Sequence, residues 1–318
     1  MRRALCVLLL MLLLSGCQRT AAMAAGVTGG MELKYAQNFA VDYYDGGAAR
    51  LRVAEQDFLL LPEGAAVPDG LESIKQIPIP VEKVYLASSS VPDLFIRMGA
   101  LDKLAYVSAS PENWNLPELR EALGLPVLVE YSSYEPHPLG RVEWIKLYGL
   151  LTGRLAEAEA FFRQQEDVFR AVEETAPTGK RAAFFHLSAN GGVTVRRRAD
   201  YVTRMIELAG GETAITDLPA SDSALSTETI QMESFYAQAR DADVLIYNST
   251  AAVEVGDMEQ FLALSPLLTD FKAVREGNVW CTDKSMFQRS SAAADVIREL
   301  HGIFSGEDGD YRYFYRLG

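Results

Sequence analysis

The 318-residue chain carries 30 lysines and arginines against 43 aspartates and glutamates, a formal net charge of −13. So acidic a composition argues against nucleic acid as a partner, because phosphate binding needs clustered cations. The length suits about two domains, and three cysteines, Cys6, Cys17 and Cys281, do not make a disulfide framework.

The N-terminus opens with Arg2 and Arg3, followed by an unbroken apolar run from Ala4 to Leu14. That run is well short of the roughly 20 residues a membrane-spanning helix needs. A basic flank, a short apolar core and small residues before a cut site describe an export signal, here residues 1–16. Leu14-Ser15-Gly16-Cys17 resembles the bacterial lipobox, which implies acylation of the Cys17 thiol and cleavage before it. Loss of Arg2 and Arg3 with the signal takes the net charge from −13 to about −15. Residues 17–30 are small, polar and glycine-rich, and read as a lipidated flexible tether holding the protein outside the cytoplasmic membrane. Cys281 then remains as the one free thiol, a small apolar residue in the strand pattern Val279–Thr282.

A first α/β lobe is expected over residues 31–153. Leu33–Phe39 and Ala49–Leu61 read as short strands around the turn signal Asp45-Gly46-Gly47. Val81–Ala87 is a strand running into Ser88-Ser89-Ser90. Val91–Met98 has helical spacing and stops at Gly99, and Leu104–Val107 is the next strand. This strand–helix–strand rhythm suggests a parallel sheet, whose strand ends would put the serine loop at a cleft. Val127–Glu130 reads as a further strand entering a loop stiffened by Pro136 and Pro138. A helix with Val142, Ile145, Tyr148 and Leu151 on one stripe ends at Gly153. Residues 154–176 form a long amphipathic helix, about 30 Å at 1.5 Å per residue, suited to connect two halves. The second lobe, 177–304, repeats the pattern with strands at Ala182–Leu187, Asp243–Tyr247 and Gly277–Thr282, and helices at Tyr201–Leu208 and Ala292–Phe304. Residues 305–318 read as a tail.

Four patches in order carry a family resemblance. Lys83–Ser90 with Leu94–Leu104, Tyr201–Glu212 with its double glycine, and Phe271–Trp280 resemble the iron-siderophore/cobalamin class of ABC substrate-binding proteins, the helical-backbone class III periplasmic binding proteins. The loop Ser132–Arg141 with Glu143-Trp144-Ile145-Lys146 is similar to a bacterial subgroup of them. The resemblance implies an α/β fold of two Rossmann-like lobes joined by a single long α-helix, with a ligand cleft between the lobes. It implies no catalysis, no resident cofactor or metal, and a monomer that takes a small-molecule metal chelate (ferric siderophore, haem or corrinoid) to an ABC permease and ATPase. Docking in this family resembles one acidic residue per lobe, matched by Glu212 in lobe two and by Glu112 or Glu118 in lobe one. One departure stands out: only Ser108–Pro126 occupies the stretch where the family carries an extra strand, so the first lobe is expected to be shortened.

A chelate with an aromatic face calls for aromatic platforms and a few placed charges. In lobe one the candidates are Ser89, Tyr134, Glu135 and His137, with His137 open either to ligand contact or to bracing its loop. In lobe two they are Arg196 and Arg198 from an arginine triplet, Tyr201 at a helix start, Asn248 after a strand, and Met286 and Phe287. An arginine fork suits carboxylate or catecholate oxygens, yet three consecutive extended residues cannot all face one way. Trp144 and Trp280 read as core. Two rivals stay open. A zinc- or manganese-binding protein would need several ligands on both lobes, and the chain offers only His137, His186 and His301 as histidines. An anchored enzyme lacks the nucleophile-elbow, phosphate-loop and zincin motifs, although a carboxylate pair leaves no local signature.

Overall fold

Alternation of apolar and polar residues builds the first layer. In a computed structural model that describes residues 26–107, 127–188, 190–218, 226–251 and 253–318, strands β1 (Val27–Gly30), β2 (Phe39–Tyr44), β3 (Ala49–Val53), β4 (Gln56–Pro62) and β5 (Lys75–Ile79) form one sheet in that order. Phe39, Val41, Leu51, Val53, Phe58 and Leu60 point into the main lobe-one core, whereas Leu59 faces a smaller cluster with Tyr44, Ala48 and Leu71. The export signal, Cys17, Glu112 and Glu118 lie outside the described residues.

Several expectations are corrected here. The end of the expected tether is β1, which pairs antiparallel with β2. Leu33–Phe39 is not a strand up to Phe39, because buried carboxylates take its amides. Glu143 accepts from the backbone N–H of Lys34, Tyr35 and Ala36, and Glu135 from those of Gln37 and Asn38. Amides occupied in this way cannot join a ladder. Val127–Glu130 is also not a strand: the Gln56 carboxamide donates to the Val129 carbonyl at 2.7 Å and accepts its N–H at 2.9 Å, standing in for a neighbouring strand. The five-stranded sheet is antiparallel except for β4 with β5, since two- to eight-residue connections make hairpins rather than crossovers. The expected parallel unit is present beside it, as β6 (Val84–Leu86), α1 (Pro92–Arg97) and β7 (Leu104–Val107), with β6 and β7 paired.

Helix α2 (Pro138–Thr152) has proline at its first turn and ends on Gly153 at φ 73°, the asymmetry helices favour. It is buried almost all round, as expected of a helix apolar on most faces. Its inward Glu143 is neutralised by Lys146 Nζ at 2.8 Å as well as by the captured amides. Helix α3 (Leu155–Glu173) is the connector. Ala158 and Phe162 pack into the lobe-one core, and Phe169 and Val172 into the lobe-two core. That single stripe, spaced by four, seven and three residues, is what makes one helix serve two lobes.

Lobe two is the wound half. Parallel strands β8 (Arg181–Leu187), β12 (Val244–Tyr247) and β13 (Val279–Thr282) form its centre. Antiparallel β9 (Val193–Arg196) and β11 (Thr227–Ile230) extend one edge, where the two-residue β10 (Glu212–Thr213) also pairs with β8. The expected tail instead supplies β14 (Phe314–Arg316), antiparallel to β13. Helices α4 (Tyr201–Leu208), α5 (Met232–Ala239), α6 (Met258–Ala263), α7 (Lys272–Arg275) and α8 (Ala293–Ser305) complete the lobe. Gly211 is required where α4 turns back, because a Cβ there would lie 2.5 Å from the Phe304 ring on α8. Cys281 is buried in β13 with burial pushing its thiol up to about 11. Trp144 and Trp280 are both buried. The architecture is thus two α/β lobes on one connecting helix.

Candidate functional site

The segment that follows the carboxyl end of β13, with Met286 and Phe287, reaches toward lobe one, and ligands of wound sheets bind at that end of the strands. A narrow cleft of about 60 Å³ lies there between the lobes, well below the roughly 300–1,000 Å³ of occupied small-molecule sites, so a chelate would have to part the lobes to enter. Ser90, Pro138 and Arg141 reach it from lobe one, and Tyr201, Met205, Met286, Phe287 and Arg289 from lobe two.

Its centre is a ladder of cations and rings. The Arg141 guanidinium lies 3.8 Å from the Tyr201 ring centroid, across the lobe boundary. Tyr201 meets Phe287 edge-on at 6.2 Å, and Arg196 sits 5.2 Å from Phe287 and 5.6 Å from Phe184. Arg196 is held from below by Asp200 at 3.5 Å, while Asp200 also caps α4 by accepting the Val202 N–H. Burial pushes the Tyr201 hydroxyl up to about 12 and draws the Arg141 guanidinium below its ordinary range. Both follow from loss of water around the charged form.

Beside the ladder the lobes are clasped. Asp93 on α1 is buried and accepts from both the N–H and the hydroxyl of Ser291, just before α8. Arg97 Nε donates to the same hydroxyl at 3.0 Å, and Arg289 stands 4.0 Å from Asp93. This fixes the 289–293 segment, one wall of the cleft.

The remaining candidates separate. Tyr201, Met286 and Phe287 line the cleft, and Arg196 stands directly behind it. Arg197 pairs with Glu228, and Arg198 is exposed. His137 is the N-cap of α2: its Nδ1 accepts the Leu139 N–H at 3.2 Å and its ring stacks on Tyr35 at 4.6 Å. Burial, then nearby Arg204, lowers its pKa to about 4. That geometry is the bracing alternative. Glu135 faces away from the cleft, its carboxylate filled by the Gln37 and Asn38 amides and the Trp144 indole N–H. Asn248 is buried and ties its own loop, accepting from the Thr250 N–H and hydroxyl. Ser89 and Tyr134 are exposed on lobe one, and Glu212 is exposed on β10. His186 lies on β8 and His301 on α8. Among the described residues no group of three or more His, Cys, Asp or Glu side chains could hold a metal ion. Asp93, Arg141, Met205, Arg289 and Ser291 were not among the residues singled out for the site. Arg141 did carry a local signal, since a cation in a first helical turn opposes the helix dipole.

Comparison with known proteins agrees with the two-lobed fold. A curated relative, an uncharacterized lipoprotein of Methanocaldococcus jannaschii, is 28% identical over 188 residues, covering 58% of this chain and 44% of its own. The chain spans about half the length of the two curated relatives it matches. The periplasmic haem-binding protein HutB of Vibrio cholerae has a TM-score of 0.54 at 20% identity, with 69% of this chain and 98% of that one covered. A periplasmic haem-binding protein from Pseudomonas aeruginosa has a TM-score of 0.56 at 16% identity, with 74% and 98% covered. Similarity at this level concerns the fold. The family model for periplasmic binding proteins matches residues 114–286, over half of the sequence, and the chain belongs to that family of two-lobed solute-binding proteins.

Proposed function

We propose that this protein is the extracytoplasmic solute-binding component of an ABC importer, and that it captures a metal chelate between its lobes for delivery to a permease. The observation that carries this reading is the interlobe cleft, where Tyr201, Met205, Met286 and Phe287 offer apolar and aromatic surface beside Arg141 and Arg289. A flat or macrocyclic chelate is best held by such surface plus a few placed charges. The haem-binding proteins that share the fold support the ligand class, and the lipoprotein relatives support anchoring through Cys17 outside the cytoplasmic membrane.

Within this reading Tyr201, Phe287 and Met286 are ligand contacts, and Arg196 supports them from behind. Tyr134 and Ser89 are rim residues, whereas Glu135, His137 and Asn248 hold the loops that shape the cleft. Glu212 is the lobe-two docking acid. A panel of ferric siderophores, haemin and cobalamin, titrated by fluorescence quenching or calorimetry, tests the proposal. One of these should bind with 1:1 stoichiometry. Zinc or manganese binding with no chelate binding would favour the metal-ion rival.

A further inference from the structure

The cleft and the contact that shuts it are built from different residues. One Asp93 carboxylate oxygen accepts the Ser291 N–H at 3.1 Å and the Ser291 hydroxyl. The other faces Arg97 Nε at 3.7 Å and Arg289 Nη1 at 4.0 Å, and Arg97 also donates to the serine hydroxyl at 3.0 Å. Asp93 and Arg97 belong to lobe one, Arg289 and Ser291 to lobe two, so all of these contacts except the Asp93–Arg97 pair span the seam. Arg97 is itself seated against Phe161 of the connector, 5.7 Å from the ring centroid, which fixes the lobe-one half of the clasp to the helix that joins the lobes.

With the clasp made, the cleft offers about 60 Å³, room for a few water molecules. A chelate enters only if the lobes part, and parting takes Asp93 away from Ser291 and Arg289. The Arg141–Tyr201 stack also crosses the seam, but both of its groups line the cleft, and a seated chelate covers them again. Asp93 and Ser291 do not line it: Ser90, Arg289, Ser290 and Ala292 beside them do. A bound chelate therefore does not restore what that pair loses. A contact made only in the shut state works against any ligand that needs the open one.

We infer that the Asp93–Ser291 clasp is an autoinhibitory latch, which holds the ligand-free protein shut so that a chelate binds by capturing the fraction in which the latch is open. This rests on the solute-binding proposal and adds the regulation of its site. Apparent affinity is then the affinity of the open form scaled by the open fraction. Weakening the latch tightens binding even as it loosens the fold, the opposite sign to loss of a ligand contact.

The test uses the full chain in detergent, with haemin, ferric siderophores and cobalamin as probes. Small-angle neutron scattering with the detergent matched out reads lobe separation. In the unaltered protein the chelate-bound form should show a longer separation than the free form. A bound form as closed as the free one, or more closed, overturns the inference, and that comparison needs no variant to fold. Ser291→Ala removes the hydroxyl between Asp93 and Arg97, and Asp93→Asn removes the charge while keeping the shape. Both free variants should show a broader distribution of separations, and should bind the chelate about tenfold tighter, the scale of one hydrogen bond to a charged group. Equal or weaker binding by both folded variants overturns the latch, as does an unchanged distribution in both. Failure of every chelate to bind overturns the metal-chelate reading instead, while the scattering of the free variants still decides the latch.

Discussion

Asp93 and Ser291, 198 residues apart in the chain, meet across the lobe boundary, with one carboxylate oxygen accepting both the backbone N–H and the hydroxyl of the serine. Ser291 is 1% exposed and Asp93 5%, so neither group exchanges this contact for water. The clasp makes the cleft wall at 289–293 depend on lobe one. Ser291→Ala should cost about 1–3 kcal/mol of stability, as expected when a buried charged acceptor loses a donor. Denaturant unfolding reads the loss, and small-angle scattering should show a broader distribution of lobe separations. An unchanged unfolding midpoint would mean that the clasp contributes nothing.

Glu143 has no exposed surface and serves three backbone amides and Lys146. Glu143→Ala leaves the amides without their acceptor and the Lys146 ammonium with the Glu32 carbonyl but no counter-charge, and should destabilise the fold by about 3–5 kcal/mol, the range for breaking a buried ion pair on one side. Glu143→Gln keeps an acceptor and should cost less. A variant ranking in the opposite order contradicts the amide-capture account.

His137 supplies a pH signature. Its folded pKa is lowered to about 4 from an ordinary 6.5, chiefly by burial, so the folded state favours the neutral ring. The contribution is therefore fully present above pH about 6.5 and is lost as pH falls toward about 4. In His137→Asn, which keeps a capping acceptor, the loss of stability between pH 7 and 4.5 should be smaller than in the unaltered protein. Parallel denaturation curves at the two pH values decide it, and identical losses in both proteins would contradict the assignment.

Cys17→Ser should move the protein from the membrane fraction to the soluble fraction and abolish incorporation of labelled fatty acid. Continued lipid labelling of that variant contradicts the anchor at Cys17.

The elements that announce themselves locally were legible in the sequence. The connector helix shows as apolar residues at helical spacing from Leu155 to Val172, and its observed span of Leu155–Glu173 falls inside the expected 154–176. The Asp45-Gly46-Gly47 turn was readable because Gly46 and Gly47 take φ of 75° and 83°, which side-chain-bearing residues avoid. What failed depended on partners far along the chain. Leu33–Phe39 has a strand's composition, but Glu135 and Glu143, about a hundred residues on, claim its amides. Val127–Glu130 lost its ladder to Gln56. The first of these facts explains why Glu135 looked like a ligand group: a loop carboxylate just ahead of two prolines reads as functional until its lone pairs are counted. Arg141 and Asp93 went unmarked because their meaning comes from Tyr201 and Ser291, on the opposite lobe.

The central claim is that a metal chelate binds between the lobes against Tyr201. It is tested most directly by calorimetric titration of the unaltered protein and of Tyr201→Ala with the chelate that binds from the panel. The account predicts a 1:1 complex weakened at least tenfold, about 1.4 kcal/mol, in the variant, titrated at a temperature where the free variant, which loses the Arg141 and Phe287 contacts, is still folded. A chelate that binds the variant as tightly as the unaltered protein would contradict it.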